Sequence, residues 1–228
     1  MNTVKIYAVA VDGPSGAGKS TLSRAVAAEL GLLYVDTGAI YRSVGLYTFR
    51  RQVNPEDAEA VSALLPQIAL QLFYGEDGLQ HMLLNGEDVT EQIRLPQISL
   101  YASQVSAIPQ VRSFLLQMQR ELAQKHSVIM DGRDIGTVVL PEAEVKIFLT
   151  ASSEERARRR YLELIQRGMP QEYETVLREV VERDQNDTNR KIAPLRPAED
   201  AVLLDTTGMD FEESKRRMVA IIREKVPQ

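Results

Sequence analysis

Short apolar runs alternate with longer amphipathic stretches along most of this chain. The apolar runs are too short for helices and long enough for buried strands, and they cover residues 5–11, 32–35, 127–130, 145–149 and 201–205. In the amphipathic stretches, apolar residues recur three or four positions apart, as at Leu22, Val26 and Leu30, which is the spacing of one helical face. Strands that alternate with helices predict an α/β fold.

The amphipathic stretches predict helices whose ends carry characteristic residues. Thr37 is a candidate N-cap for a helix that runs through Phe49, and Pro66 is placed to end the helix that opens at Asn54. Further helices are predicted over residues 20–30, 98–107, 110–125, 153–167, 171–188 and 211–224.

One segment breaks the alternation of strands and helices. Residues 68–74 and 79–84 are two strand-like runs around the turn sequence Gly75-Glu76-Asp77-Gly78, a pattern typical of an antiparallel hairpin. Because such a hairpin is unexpected between strand–helix units, residues 66–95 are predicted to form an inserted subdomain.

The turn between the first strand and the first helix has the spacing of a phosphate-binding loop. Its sequence fits G-x-x-x-x-G-K-[ST] and reads Gly13-Pro14-Ser15-Gly16-Ala17-Gly18-Lys19-Ser20, followed by Thr21. Backbone N–H groups in such a loop point at phosphates, and the helix N-terminus adds partial positive charge. Lys19 is predicted to reach the β- and γ-phosphates, and the Ser20 hydroxyl to ligate Mg²⁺.

Composition narrows the class of protein. The 228 residues suit one α/β domain with an inserted part, and the formal net charge of −5 argues against a general nucleic-acid binder. The absence of cysteine excludes disulfides and thiolate metal sites and fits a reducing cytoplasm.

The apolar N-terminal run, about seven residues long, predicts neither a signal peptide nor a membrane span. Arginine outnumbers lysine among the 27 basic residues, which suits bidentate phosphate contacts, with a general compositional bias as the alternative.

Charged residues follow the strand at 127–130. Asp131 stands where a Walker-B-like carboxylate would lie beside a metal ion, and Arg133 and Asp134 come soon after it. A strand can also end at an aspartate that only forms a turn, but the phosphate loop favours a site role. Because ligands bind outside the carboxyl ends of parallel strands, the ends of the first four apolar runs are predicted to line one cleft.

Arginines on two later predicted helices have two alternative roles. Arg183, Asp187 and Arg190 would share one helical face if their helix continues that far. A ligand contact is favoured over a solvated ion-pair face, because Arg before Asp is the weaker order for helix stabilisation. The preceding helix carries a basic stripe of Arg156, Arg159 and Arg160. This stripe is either a solvated face or part of a lid over a transferred phosphoryl group.

The motifs of this chain, taken in order, resemble those of the bacterial cytidylate kinases. They are the phosphate loop, YVDTGAIYR at 34–42, ASQV at 102–105 with Val111-Arg112, DGRDIGT at 131–137, ASSEER at 151–156 and the segment from Arg183 to Leu195. The resemblance extends over essentially the whole chain. DGRDIGT and DTGAIYR together with a phosphate loop are highly specific.

The resemblance implies a P-loop nucleoside-monophosphate-kinase-like three-layer fold, with a five-stranded parallel sheet, a small antiparallel insertion and a helical lid. Within a single domain over 1–228, it implies a core of about 1–36, 126–152 and 190–228, an acceptor-binding part of about 37–125 and a lid of about 153–189. It also implies Mg²⁺-assisted, in-line transfer of the γ-phosphoryl group of ATP to CMP or dCMP without a covalent intermediate.

The resemblance also implies roles for individual residues. ATP is expected on Gly13 to Thr21, with Mg²⁺ on Ser20 and, through water, on Asp131. CMP is expected on Thr37, Arg42, Ser103, Arg112, Asp131, Arg133, Asp134, Arg183, Asp187 and Arg190. In that set, Ser103, Arg112 and Asp134 would read the cytosine, and Asp187 the sugar hydroxyls. The residues expected to act in the transfer are Lys19, Arg133, Arg183, Arg190 and the lid residue Arg158.

Other functions are weighed against this one. A kinase of the same fold could act on UMP or another small acceptor. A GTP-dependent switch would need an N-K-x-D motif, which the sequence lacks, and a motor or helicase ATPase normally has further modules. The expectation is therefore a monomeric cytoplasmic enzyme that binds ATP and CMP, and neither nucleic acid nor a membrane.

Overall fold

The structure is a computed structural model that describes residues 6–76, 78–166 and 168–226. Its strands are β1 (Ala8–Asp12), β2 (Leu33–Asp36), β3 (Leu70–Tyr74), β4 (Gln80–Leu84), β5 (Glu87–Asp88), β6 (Val128–Gly132), β7 (Val145–Thr150) and β8 (Val202–Asp205). Its helices are α1 (Lys19–Leu30), α2 (Thr37–Arg50), α3 (Ala58–Leu64), α4 (Pro96–Val105), α5 (Pro109–Lys125), α6 (Ser153–Gln166), α7 (Tyr173–Thr188) and α8 (Phe211–Lys225). No helix within the described ranges has the length and apolar character needed to cross a bilayer.

The chain folds into two compact units. Unit 1 comprises Met1–Tyr34 and Ala123–Gln228, and unit 2 comprises Val35–Leu122. The predicted acceptor-binding part, 37–125, differs from unit 2 by a few residues at each end. The predicted lid, 153–189, is part of unit 1.

The larger sheet consists of short strands that are mainly apolar. β1 pairs in parallel with β6 on one side and with β7 on the other, and β8 pairs in parallel with β7. With β2 at the far edge, the strand order is β2-β6-β1-β7-β8, which confirms the predicted five-stranded parallel sheet. All of β1 is buried, as expected of a strand that is covered on both faces.

Helices α1 and α8 bury their apolar faces in the core of unit 1. Leu22 and Val26 of α1 and Met218 and Ile222 of α8 belong to one cluster with the central strands, and each is at most 4% exposed. Leu30 packs against the same cluster from its edge. Since full burial of such a side chain stabilises the fold by about 1.5–3 kcal/mol, the helical spacing seen in the sequence marks a core face.

Unit 2 contains the small antiparallel sheet β3-β4-β5. β3 and β4 form the predicted hairpin, and β4 alternates buried with half-buried residues. β5 pairs with β4 as a third strand. The sequence does not predict β5, because its two residues are polar and exposed and carry no apolar alternation.

The helix cap predicted at Thr37 is wrong by one residue. Thr37 is the first residue of α2, and Asp36 is its N-cap. Oδ1 of Asp36 accepts a hydrogen bond from the Ala39 N–H at 3.0 Å. A short carboxylate side chain is as good a cap as a hydroxyl, so tertiary context decides between the two adjacent candidates.

Two further expectations about element ends are also wrong in detail. Asp131 lies inside β6 rather than after it, because the pairing with β1 continues to Gly132. Helix α7 ends at Thr188, so Arg190 lies beyond the helix and cannot share its face with Arg183.

Gly45 offers a test of the packing of α2 against α4. A Cβ atom at residue 45 would lie 2.9 Å from the backbone nitrogen of Ala102 and 3.2 Å from its Cα. Inside a helix, Gly→Ala alone is stabilising by about 0.5–1 kcal/mol. We expect Gly45→Ala to lower the free energy of unfolding by about 1–3 kcal/mol instead, because backbone atoms cannot move aside. Denaturant unfolding measures the difference.

The matched control is Ala63→Gly, at an exposed position of α3. It should cost only about 0.5–1 kcal/mol, because helix propensity alone changes there. A Gly45→Ala protein at least as stable as the parent would show that α2 and α4 do not approach this closely.

Candidate active site

The phosphate loop occupies the turn between β1 and α1 in unit 1. A Cβ atom at Gly13 would lie 1.9 Å from the carbonyl oxygen of Leu149 in β7, and the φ of +150° is one that other residues rarely adopt. Helix α1 begins at Lys19 with Gly18 as N-cap and without a side-chain hydrogen bond to the cap. Without a side-chain cap, the N–H groups of the first turn are oriented to bind an anion.

Lys19 is buried beneath this loop. Its Nζ donates to the carbonyl oxygens of Gly13 and Pro14, each at 2.8 Å, and the residue is 6% exposed. Burial lowers the pKa of Lys19, and the nearby positive charge of Arg133 lowers it further. Phosphate bound in the loop would favour the ammonium form, because an opposite charge offsets the cost of burial.

Ser20 and Asp131 meet at the start of α1. The Ser20 hydroxyl donates to Oδ2 of Asp131 at 2.8 Å, and the Tyr34 hydroxyl donates to Oδ1 at 2.9 Å. A hydroxyl and a carboxylate are oxygen ligands of the kind that Mg²⁺ prefers, so these residues fit the predicted ion. Across the described ranges, no cluster of three or more His, Cys, Asp or Glu side chains could hold a metal. Mg²⁺ commonly uses only one or two protein carboxylates where it also binds phosphates.

Asp187, near the end of α7, interacts with three arginines. Arg133 donates to its Oδ2 at 2.8 Å and Arg190 to its Oδ1, and the charge of Arg183 also acts on it. Burial by itself would raise the pKa of Asp187, but the three guanidinium groups hold that pKa below its ordinary value. Unit 1 therefore brings these four predicted acceptor residues together, although Arg190 reaches Asp187 from the loop after α7.

The arginines of α6 have different surroundings. Arg156 donates to the carbonyl oxygen of Ser15 at 3.0 Å, and Arg159 to that of Ala17 at 3.4 Å. Arg156 is buried and also pairs with an aspartate of α7. Arg158 is 62% exposed in its side chain and pairs with a glutamate of its own helix. The basic stripe is thus partly structural: Arg156 and Arg159 support the phosphate loop, whereas Arg160 pairs with Glu163 of its own helix.

Asp134 lies in the turn after β6 and is 4% exposed. The turn continues into the π-helical segment Ile135–Val139. Asp12, the last residue of β1, accepts hydrogen bonds from this turn. Sequence reasoning missed Asp12, and the signal that could have found it is an acidic residue directly before the phosphate loop.

A cavity of about 430 Å³ adjoins the phosphate loop within unit 1. Its walls come from the loop, from α6 and from the segment that leads into α8, and they include Arg159, Thr206, Met209 and Phe211. Aromatic, thioether and guanidinium groups of this kind suit the faces of a nucleobase. The sequence does not predict this cavity, because its walls come from three separate segments.

Unit 2 holds the other predicted acceptor residues. Thr37 and Arg42 lie on α2, Ser103 on α4 and Arg112 on α5. Ser106 joins two of them, because its hydroxyl donates to the Ser103 carbonyl at 2.8 Å and its carbonyl accepts from Arg112 at 3.2 Å. Nε of Arg42 is buried without a hydrogen-bond partner among the described residues, and a bound anion could satisfy that donor.

Asp36 and Gln80 hold the start of α2. Asp36 pairs with Arg42 at 2.7 Å. The Gln80 side chain, from the inserted sheet, accepts from the Asp36 N–H at 2.7 Å and donates to the Asp36 carbonyl at 3.2 Å. The insertion therefore braces the residue that orients Arg42. A carboxylate before a helix could have identified Asp36, whereas nothing in the sequence points to Gln80.

Asp187→Asn tests the arginine cluster through the pH dependence of stability. The pKa of Asp187 is lower in the folded state than in the unfolded state, where it is about 4. The Asp187 carboxylate therefore stabilises the fold above about pH 4, and this contribution is lost as the pH falls through the folded-state pKa. We expect Asp187→Asn to lower the free energy of unfolding by about 3 kcal/mol at pH 7. The difference from the parent should shrink below about pH 4. Denaturant unfolding at several pH values measures it.

Asp57→Asn is the control for this substitution. Asp57 is the exposed N-cap of α3, where asparagine caps about equally well, so little change is expected at any pH. A difference for Asp187→Asn that stays constant from pH 7 to pH 3 would contradict the charge pairing.

Known proteins resemble this chain over nearly its whole length. The family model described as cytidylate kinase matches residues 9–224. The cytidylate kinase of Carboxydothermus hydrogenoformans is 51% identical over 217 residues, covering 95% of this chain and 97% of the relative. That of Streptococcus pneumoniae is 44% identical, with the same coverage of 95% and 97%. A crystal structure of an uncharacterized protein from Eubacterium ventriosum is similar in fold, with a TM-score of 0.54 at 12% identity, covering 96% of this chain and 99% of that one. The family match and these relatives show that the chain belongs to the cytidylate kinase family.

Proposed function

We propose that this protein transfers the γ-phosphoryl group of ATP to CMP or dCMP, forming ADP and CDP or dCDP. The observation that carries the proposal is the Ser20–Asp131 contact beside the buried Lys19, in a glycine-rich loop at the start of α1. Such a group of residues holds nucleotide phosphates together with Mg²⁺. The relatives' name, cytidylate kinase, supplies the acceptor.

On the ATP side, backbone N–H groups within residues 13–21, other than Pro14, which has none, would bind the phosphates. Lys19 would exchange its two carbonyl partners for phosphate oxygens, and Ser20 would hold Mg²⁺ directly, with Asp131 acting through water. When bound, the ion neutralises charge on the phosphates. Phosphoryl transfer depends on alignment and charge neutralisation. We therefore assign no nucleophilic residue and no general base, and the acceptor's phosphate oxygen attacks in line.

On the acceptor side, unit 1 would supply charge and base recognition. Arg133, Arg183 and Arg190 would contact the acceptor's phosphate and sugar and take up developing negative charge. Asp187, which already holds two of these arginines, has further lone pairs for a sugar hydroxyl. Asp134 would accept a hydrogen bond from the amino group of cytosine.

Unit 2 would supply the remaining acceptor contacts. Thr37 and Arg42 are assigned to the acceptor's phosphate, and the unpartnered Nε of Arg42 supports this assignment. Ser103 and Arg112 are assigned to the cytosine. The guanidinium of Arg112 lies 5.7 Å above the Tyr41 ring, a contact that restricts its orientation.

Helices α6 and α7 would act as a lid that excludes water and so limits wasteful hydrolysis of ATP. Arg158 is assigned to the transferred phosphoryl group. Its present partner is Glu155, whose side chain is 19% exposed, whereas the Arg158 side chain is 62% exposed. Because an ion pair with a solvent-exposed partner contributes only about 0–1 kcal/mol, and because Glu155 also binds Arg159, Arg158 can leave at little cost. Arg156 and Arg159 would keep supporting the phosphate loop.

The cavity beside the phosphate loop is proposed to bind the adenine and ribose of ATP. Loop residues form one of its walls, so a nucleotide with its phosphates in the loop would have its base within reach. Arg159 and Phe211 offer a guanidinium and an aromatic surface to that base. We further propose a monomer that acts in the cytoplasm, which the cysteine-free sequence supports.

A panel of acceptors tests the reaction. ADP release is measured in a coupled assay with ATP and Mg²⁺. The value of kcat/KM should be highest for CMP or dCMP and at least about tenfold lower for UMP and AMP. The reason is that a site complementary to the cytosine edge leaves polar groups unpaired when another base binds. Chelation of Mg²⁺ should abolish turnover. A preference for UMP or AMP, or ATP turnover that needs no acceptor, would contradict the proposal.

Asp134→Ala tests base recognition. The loss of one buried hydrogen-bond acceptor group should raise the KM for CMP by about tenfold or more. The KM for ATP should change by less than about threefold, because ATP makes no contact with Asp134 in this proposal. Steady-state kinetics with each substrate varied in turn give both constants. Equal weakening of the two substrates would exclude Asp134 from base recognition.

A further inference from the structure

Asp12 is a buried carboxylate to which the proposed mechanism gives no role. It ends β1, immediately before Gly13, and is 4% exposed. Its Oδ1 accepts a hydrogen bond from the Ile135 N–H and its Oδ2 one from the Gly136 N–H, both at 2.7 Å. One side chain thus joins the residue before the phosphate loop to two successive peptides of the turn that follows β6.

The buried environment of the Asp12 carboxylate disfavours its charged form. Burial raises the pKa of Asp12 to about 6, even though the two N–H donors act in the opposite direction. The negative charge of Asp134 raises that pKa further, whereas the positive charge of Lys19 lowers it. The two hydrogen bonds are therefore the main local compensation for a group that burial alone would disfavour.

The turn held by Asp12 begins with the proposed base-reading residue. Asp134 has φ −146° and ψ 29°, outside the helical region, and its carbonyl accepts hydrogen bonds from the N–H groups of Val138 and Val139. The peptides bonded to Asp12 are those of the next two residues. A shift of these peptides would move Asp134 with them, since no flexible residue lies between.

Close packing also restricts the same turn. A Cβ atom at Gly136 would lie 3.2 Å from Cδ of Lys146 and 3.4 Å from Oδ2 of Asp12. The space between the carboxylate and the Lys146 stem therefore fits a glycine backbone. The turn is held by the hydrogen bonds to Asp12 and by close packing against Lys146.

We propose that Asp12 is a positioning residue for acceptor recognition: by holding the peptides of residues 135 and 136, it fixes the Asp134 carboxylate where that group reads the acceptor base. The proposal rests on the assignment of Asp134 to the cytosine in the proposed function. Asp12 itself touches no substrate. Its loss should therefore affect which acceptor is bound more than how ATP is bound.

Asp12→Asn is the test variant. The amide keeps one acceptor oxygen, but its NH₂ group faces the second backbone N–H, so one of the two hydrogen bonds is lost. We expect the KM for CMP to rise about tenfold, as one lost buried hydrogen bond predicts, while the KM for ATP changes less than about threefold. The ratio of kcat/KM for CMP to that for UMP should fall, because a displaced Asp134 no longer selects the cytosine amino group.

Two further variants make the result decisive. Gly136→Ala keeps the Asp12 side chain but places a Cβ atom 3.2 Å from Cδ of Lys146 and 3.4 Å from Oδ2 of Asp12. It should displace the peptide of residue 136 and give the same selective rise in KM for CMP, which keeps the test available if Asp12→Asn does not fold. Asp57→Asn, at the exposed cap of α3, is the matched control and should leave every constant unchanged. Thermal unfolding of each protein reports whether it is folded.

The outcomes separate this inference from the proposed function. The proposal is overturned if Asp12→Asn, or Gly136→Ala in its place, changes the KM values for CMP and ATP equally or leaves the CMP-to-UMP ratio intact. If Asp134→Ala is selective for CMP in that case, base recognition stands and only the role of Asp12 fails. If Asp134→Ala is itself unselective, the base assignment of the proposed function fails first.

Discussion

The parallel pairing of β1 with β6 is the constraint on which the rest of the site depends. Its register sets Val11 opposite Asp131 and Asp12 opposite Gly132. Both strands therefore end at the same edge of the sheet, where parallel α/β folds bind ligands. The phosphate loop follows the end of β1, and the turn at Arg133 and Asp134 follows the end of β6. The contacts of Asp131 with Ser20 and of Asp12 with this turn therefore follow from one pairing.

Charge of both signs is concentrated and buried at this edge of the sheet. Lys19 is buried among the charges of Arg133, Asp131, Asp187 and Asp12, and burial lowers its pKa. In an ordinary core such a group would cost stability without return. At a phosphate site the same cost is offset when anionic oxygens bind, and it leaves the positive groups already oriented, so that little reorganisation is needed during transfer.

The arginine-rich sequence divides into three classes of side chain once the partners are known. Arg156 and Arg159 are committed to the protein, because they donate to carbonyl oxygens of the phosphate loop. Arg133 and Arg190 converge on one buried aspartate, which fixes their orientation. Arg158 is 62% exposed in its side chain and pairs with Glu155 of its own helix. The same charge in the sequence thus lies against the phosphate loop, on a buried carboxylate or at the surface, according to burial and partner.

The amino-acid sequence by itself determined the helices, the inserted hairpin, the phosphate loop and the described strands other than β5, because each depends on local spacing: a short apolar run, period two, period 3.6 or a run of glycines around Lys19. Motif resemblance added the family and the set of expected substrate residues. Only the tertiary structure decided that Asp36 and not Thr37 caps α2, that Arg190 reaches Asp187 from a loop, and that Gln80 braces the start of α2. It also decided that Asp12 holds the turn after β6. These contacts join residues whose separation along the chain carries no periodic signal, so they exist only once the strands have paired and the side chains are buried together.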